Sequence, residues 1–340
     1  MPAETSNAVG RATELHTVWD IVGAVRVRGR VNDRALTRDR SVPQVVLVHG
    51  LGMATDYLEP MMRALGDGLA VSALDLPGFG GSRRVMGEYG SLDSALRASL
   101  GMTRRGAQPP VIPRERSSPV IPSERSESRD PHAVIPSERS ESRDLHPSNG
   151  TILGTLAQAL IAWLRVREIV APILVGQSHG CQVVVEAVTR EPALASALVL
   201  NAPTMPARHR SIGAMLWRVA MDSPREPLSL VPHVARDYLR AGPVRILATL
   251  KDALRDRIED KLPAVRVPVT IVTGARDPVS PPAWCDQLAR LAGSEGGAEA
   301  RLVVVPGAAH AVPFSHPGAL ASEIVAMARQ ISGYRPSDRT

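Results

Sequence analysis

Short apolar runs rich in valine, isoleucine and leucine recur along the chain, separated by stretches of mixed polarity. They are Val45–Val48, Leu69–Leu74, Ile169–Val175, Ala197–Leu200, Val267–Val272 and Leu302–Val305. Each is bounded by glycine, proline or polar residues and lacks the polar–apolar alternation of a half-exposed strand, so each predicts a strand buried on both faces of a parallel sheet. Between them, amphipathic patterns at residues 55–66, 151–166, 180–190, 282–292 and 317–331 predict helices. Strand–helix alternation of this kind predicts one doubly wound α/β domain with a mostly parallel sheet, spanning residues 1–340. Two segments depart from it. From Trp19 to Val31, Val25, Val27 and Gly29 alternate with Arg26, Arg28 and Arg30, which suits an N-terminal antiparallel pair. Residues 203–262 read instead as several helices in a row, a candidate lid over the C-terminal edge of the sheet.

Residues 90–148 stand apart. The eleven residues beginning at Val120 return fourteen residues later at Val134, each copy followed by one variable residue and a histidine, His132 or His146. A degraded start, Val111-Ile-Pro-Arg-Glu-Arg-Ser, precedes them. Each unit offers only a Val-Ile pair to bury among Ser, Arg, Glu and Pro, too little to hold a packed repeat. The segment reads as an inserted, translated repeat that stays disordered; the alternative is a binding tail or linker.

Composition narrows the class of protein. A net charge of +6 admits a nucleic-acid partner. Against it, Lys251 and Lys261 are the only lysines, the arginines are scattered among acids, and aromatics at 3% leave few platforms for stacked bases. No nucleic-acid partner is expected. No apolar stretch is long enough for a membrane span, and the polar segment Met1–Asp20 lacks the apolar core of a signal peptide. The expectation is a cytoplasmic protein with no membrane partner. Cys181 and Cys285 provide no disulfide framework.

The candidate chemistry lies where strands end. Gly176-Gln-Ser178-His-Gly180 follows one apolar run and opens a helix. A nucleophile presented on so tight a turn needs small residues two positions away on either side, and the helix N-terminus behind it favours negative charge. His49-Gly-Leu51-Gly closes another strand, where a glycine-rich turn leaves backbone N–H groups free. The amides of Leu51 and His179 are the candidate oxyanion donors. His49 itself reads as a structural histidine under the loop. Asp277, in the turn after Val272, and His310, in the turn after Val305, complete a set of nucleophile, base and orienting acid.

With these residues in view, the chain resembles the α/β-hydrolase superfamily over nearly all its length outside the repeat. The order Ser178, Asp277, His310 is the order of that family's triad. Asp75-Leu-Pro-Gly-Phe-Gly-Gly-Ser82 resembles the D-x-P-G-x-G-x-S turn after its fourth strand, which the resemblance makes structural. His179 stands where methionine or leucine is frequent, adding a second group able to titrate beside the nucleophile, and Cys181 replaces a glycine. Ser178 is not the aspartate of the epoxide hydrolases and haloalkane dehalogenases of this fold. Ala311 is not the tryptophan that typically follows the histidine in its C–C bond hydrolases.

The reading that results is a carboxylic-ester hydrolase working through an acyl-enzyme on a small ester with an apolar part, with no cofactor and no metal. Trp217, Met221 and Tyr238 of the lid are the candidate pocket residues. The alternatives are a C–C bond hydrolase or cofactor-free lyase or oxidative enzyme of the same fold, and a non-catalytic binding protein.

Overall fold

The computed structural model describes residues 13–23, 25–84, 151–294 and 299–333. The repeat expected at residues 90–148 lies outside the described residues. The N-terminal alternation forms a hairpin, β1 Leu15–Val22 and β2 Val25–Asn32, whose tight turn places Gly23 at φ 60°. Val25, Val27 and Val31 of β2 are buried.

The apolar runs become β3 Gln44–Val48, β4 Ala70–Leu74, β6 Ile173–Gln177, β7 Ala197–Asn201, β8 Val269–Gly274 and β9 Ala300–Val305, with a short β5 at Arg83–Arg84. The sheet order is β1-β2-β4-β3-β6-β7-β8-β9, with β5 paired to β2. Pairing is parallel from β4 through β9 and antiparallel at the hairpin end. Two strands start later than the apolar runs predict. Ala171 sits at φ 43° ahead of Pro172, so the run from Ile169 turns before it pairs, and β8 begins after Pro268, which has no N–H to donate.

The helices in chain order are α1 Asp33–Leu36, α2 Glu59–Leu65, α3 Ile152–Val166, α4 His179–Arg190, α5 Ile212–Asp222, α6 Val231–Ala241, α7 Pro243–Arg255, α8 Ile258–Lys261, α9 Pro282–Ala292, α10 Val312–Ser315 and α11 Pro317–Ser332. The pattern at residues 55–66 divides into a 3₁₀ turn at Thr55–Leu58 and then α2, with Pro60 in the first turn where its missing N–H costs nothing. α3, α4 and α9 bury Trp163, Val184 and Leu288 on one face of the sheet, and α2 and α11 bury Met62 and Ile324 on the other. Each such side chain contributes roughly 1.5–3 kcal/mol by leaving water. The indole N–H of Trp163 donates to Asp20 at 2.9 Å, tying α3 to the hairpin without leaving a buried donor unpaired.

Between β7 and β8 the chain makes α5, α6, α7 and α8 in succession. Two buried polar contacts with α4 pin this helical segment: Lys261 to Glu186 at 2.6 Å, and the Gln182 amide to the carbonyl of Ala253 at 2.8 Å. Among the described residues, no helix is long and apolar enough to cross a membrane.

Candidate active site

Ser178 occupies the single residue between β6 and α4, at φ 52° and ψ −116°. A non-glycine residue in this left-handed region is strained, and the strain persists only because the junction is over-determined. The Ser178 N–H donates to the carbonyl of Asn201 at 2.9 Å, and the Cys181 N–H donates back to the Ser178 carbonyl at 2.9 Å. A Cβ at Gly180 would fall 2.3 Å from the carbonyl oxygen of Val48, so only glycine lets α4 start this close to β3. The Cys181 thiol is buried against the carbonyls of Gly176 and Asn201, and burial pushes its pKa well above the usual thiol range. It is packed and unreactive.

Asp277 and His310 lie on the turns after β8 and β9. Oδ1 of Asp277 accepts the N–H groups of Val279 and Ser280 at 2.7 and 2.8 Å, which fixes the carboxylate. Its Oδ2 lies 2.8 Å from Nδ1 of His310. The turns can meet because Gly274 has no side chain: a Cβ there would lie 2.2 Å from the carbonyl oxygen of Ala309. Burial works against protonation of His310, but the charges of Asp277, Asp222 and Glu226 and the hydrogen bond it donates to Asp277 outweigh it and raise the imidazole to about 9.

Ser178 and His310 line the same cavity of about 400 Å³, together with Gly50, Leu51 and Gln177 at its floor. The N–H of His179 belongs to the first turn of α4, where amides have no acceptor within the helix. Its imidazole is buried and points away from titration: burial and the neighbouring His49 push it down to about 4, so it stays neutral where a second titrating group was expected. His49 accepts the N–H of Leu76 through Nε2 at 2.9 Å, which leaves Nδ1 as the donor to the Gly50 carbonyl at 2.8 Å. Both ring nitrogens are spent on holding the loop.

The turn from Asp75 to Ser82 is structural in the same way. Asp75 accepts from the N–H groups of Thr55 and Gly81 at 2.6 and 2.7 Å, and the Ser82 hydroxyl donates to the Asp75 carbonyl at 2.7 Å.

The roof of the cavity comes from α5, α6 and the link between them. Met215, Val219 and Asp222 line it from α5, and Leu230, Val234 and Tyr238 from further along. Of the three expected pocket residues, Tyr238 is there. Trp217 and Met221 are not: they lie on the opposite side of α5 from the stripe at 215, 219 and 222, and Trp217 is 68% exposed. Helical spacing counted from Met215 would have selected the correct face.

Two lid carboxylates escaped the sequence reading. Asp222 accepts the backbone N–H of His310 at 3.2 Å, and Glu226 accepts that of Ala311 at 2.6 Å. Both line the cavity. Among the described residues, no group of His, Cys, Asp and Glu side chains could hold a metal ion.

A parallel sheet flanked by helices, a strained serine between strand and helix, and an Asp–His pair on the two following strand ends define an α/β-hydrolase architecture. The chain belongs to the Alpha/beta hydrolase family, whose sequence profile matches residues 45–323. Solved structures agree on the fold. A putative lipase from Acinetobacter baumannii is similar with a TM-score of 0.62 at 12% identity, over 94% of this chain and 93% of its own. A hydrolase from Pseudomonas aeruginosa has a TM-score of 0.59 at 17% identity, over 92% and 97%. A 2-hydroxy-6-oxo-6-phenylhexa-2,4-dienoate hydrolase from a Rhodococcus strain has a TM-score of 0.58 at 15% identity, over 93% and 99%. Comparison of the sequence with curated proteins returns no match.

Proposed function

We propose that the protein hydrolyses carboxylic esters by nucleophilic catalysis at Ser178. The observation that carries this reading is the 2.8 Å contact between Asp277 and His310 beside a cavity that also exposes Ser178. In this scheme Nδ1–H of His310 donates to Asp277, so Nε2 is free to take the serine proton as the hydroxyl attacks the ester carbonyl. The amides of Leu51 and His179 hold the oxyanion, a contribution of ~3 kcal/mol for each donor where such sites have been tested. His310 then passes the proton to the leaving alcohol, and water repeats the sequence to release the acid.

The cavity favours esters over the carbon–carbon substrates of the dienoate hydrolase. A dienoate carries a carboxylate, whereas the lining residues include Asp222 and Glu226 and, among the described residues, no arginine or lysine. Turnover of a series of aryl esters, compared with Ser178→Ala, tests the proposal. Loss of turnover by ~10⁶ in the variant supports it. Equal rates in both proteins would refute it.

A further inference from the structure

The roof of the cavity is mostly apolar, with its charged groups gathered at one place. Met215, Val219, Leu230 and Val234 offer uncharged apolar side chains, while Asp222 and Glu226 bring two carboxyl groups to the wall beside His310. Burial of this kind is costly for a carboxylate unless it finds partners. Each has found one: the N–H of His310 for Asp222 and the N–H of Ala311 for Glu226. A carboxylate can accept about four hydrogen bonds, so capacity remains unused. On Glu226 the shortfall is explicit, because Oε2 is shielded from water and has no partner among the described residues.

We infer that Asp222 and Glu226 form a recognition point for a cationic donor on the alcohol side of the ester, so that the substrate class is an ester of an amino alcohol with an apolar acyl chain. This rests on the ester-hydrolase reading for what is cleaved, but not for what is bound. Position assigns the alcohol side. The leaving oxygen must lie next to His310 to receive its proton, and both carboxylates are anchored to the backbone of that same turn. The oxyanion donors Leu51 and His179 belong to other strand ends. An ammonium group here would meet two acceptors, with Asp277 beyond them and His310 the one basic side chain in the lining, whereas an anionic group would meet two like charges. The titratable groups facing the pair from neighbouring elements are His310, Asp277 and Tyr57. Burial raises Asp222 to about 6, with Glu226 and Asp277 adding to the rise, and burial also raises Glu226.

The test uses three butyrate esters of matched shape: the dimethylaminoethyl ester, its neutral isopentyl isostere and the carboxyethyl ester. Binding is measured by calorimetry to the intact Ser178→Ala chain, where no turnover interferes. The cationic ester should bind about tenfold more tightly than the neutral one, since a charge-assisted hydrogen bond in a shielded site is worth that much, and the anionic ester more weakly than both. Adding Glu226→Gln or Asp222→Asn to that background should each erode the preference several-fold, and the double change should abolish it. Having two separate variants guards against one of them failing to fold. Equal binding of all three esters, tighter binding of the anion, or a preference that survives the double change would overturn the inference. Turnover of the same esters by the unaltered protein is a separate readout: selective binding without turnover would refute the ester-hydrolase reading and leave the recognition point standing.

Discussion

The side-chain amide of Gln177 donates to the backbone carbonyl of His310 at 3.1 Å, while its oxygen accepts from the amide of Asn201. The residue before the serine is thereby fastened to the turn that carries the histidine, through a relay that also engages the end of β7. Replacing Gln177 with alanine should cost ~1–3 kcal/mol of stability, the usual price of orphaned buried polar groups. It should also lower kcat more than it raises KM, because the base loses its tether while the cavity changes at a single floor residue. Denaturant unfolding and steady-state kinetics on Gln177→Ala check both parts; an unchanged kcat would show that the histidine turn holds itself.

The pH–rate profile should rise later than an ordinary imidazole would dictate. His310 must be neutral to accept a proton, and its acid neighbours raise it to about 9, so turnover should climb on the alkaline side of neutrality. Asp277→Asn removes the leading charge and must move that rise to lower pH, with a loss of ~10⁴ in turnover from the wrong tautomer. The same shift bears on stability. A histidine raised in the folded state contributes stability that is complete below its unfolded value of about 6.5 and is lost as pH climbs through the folded value. Melting temperature measured across this window should fall with rising pH, and the fall should shrink in Asp277→Asn. A profile rising wholly below neutrality would contradict the acid cluster around His310.

Most of the frame was legible because buried parallel strands demand uninterrupted apolar runs, and β3, β4 and β7 lie within a residue of where those runs stand. The strand-end turns that carry Ser178, Asp277 and His310 were legible for a different reason, since each follows such a run and bears a glycine. Trp217 and Met221 were misplaced because size and hydrophobicity say nothing about which side of α5 faces inward. Asp222 and Glu226 could not be read at all. Their importance depends on α5 and the link after it folding back over the turn of His310, a contact between positions 85 or more residues apart.

Strain at the serine should be measurable as stability. At φ 52° and ψ −116° Ser178 occupies backbone space that suits glycine. Ser178→Gly should abolish turnover and at the same time stabilise the fold by ~1 kcal/mol. Thermal unfolding of the two proteins side by side checks it; a less stable glycine variant would mean that the hydroxyl contributes more than the strain costs.

The lid's attachment rests on a buried charge cluster. Lys261 at the end of α8 lies 2.6 Å from Glu186 of α4 and also contacts Asp256. Lys261→Ala would leave Asp256 with the Gln182 amide but no cation, while Glu186 keeps Arg190 at 2.8 Å, and breaking a shielded pair from one side costs up to ~3–5 kcal/mol. A large drop in the unfolding midpoint is expected, reversed in part when Asp256→Asn is added. If Lys261→Ala unfolds at the same denaturant concentration as the parent, the lid is held by its apolar contacts alone.

The most direct test of the central claim is covalent labelling with a fluorophosphonate, which reacts only with a serine activated by a neighbouring base. Peptide mapping by mass spectrometry should place one adduct on Ser178 in the unaltered protein. The adduct should be absent in Ser178→Ala and strongly slowed in His310→Ala. An adduct that persists in Ser178→Ala, or that maps to another serine, would contradict the assignment of Ser178 as the nucleophile.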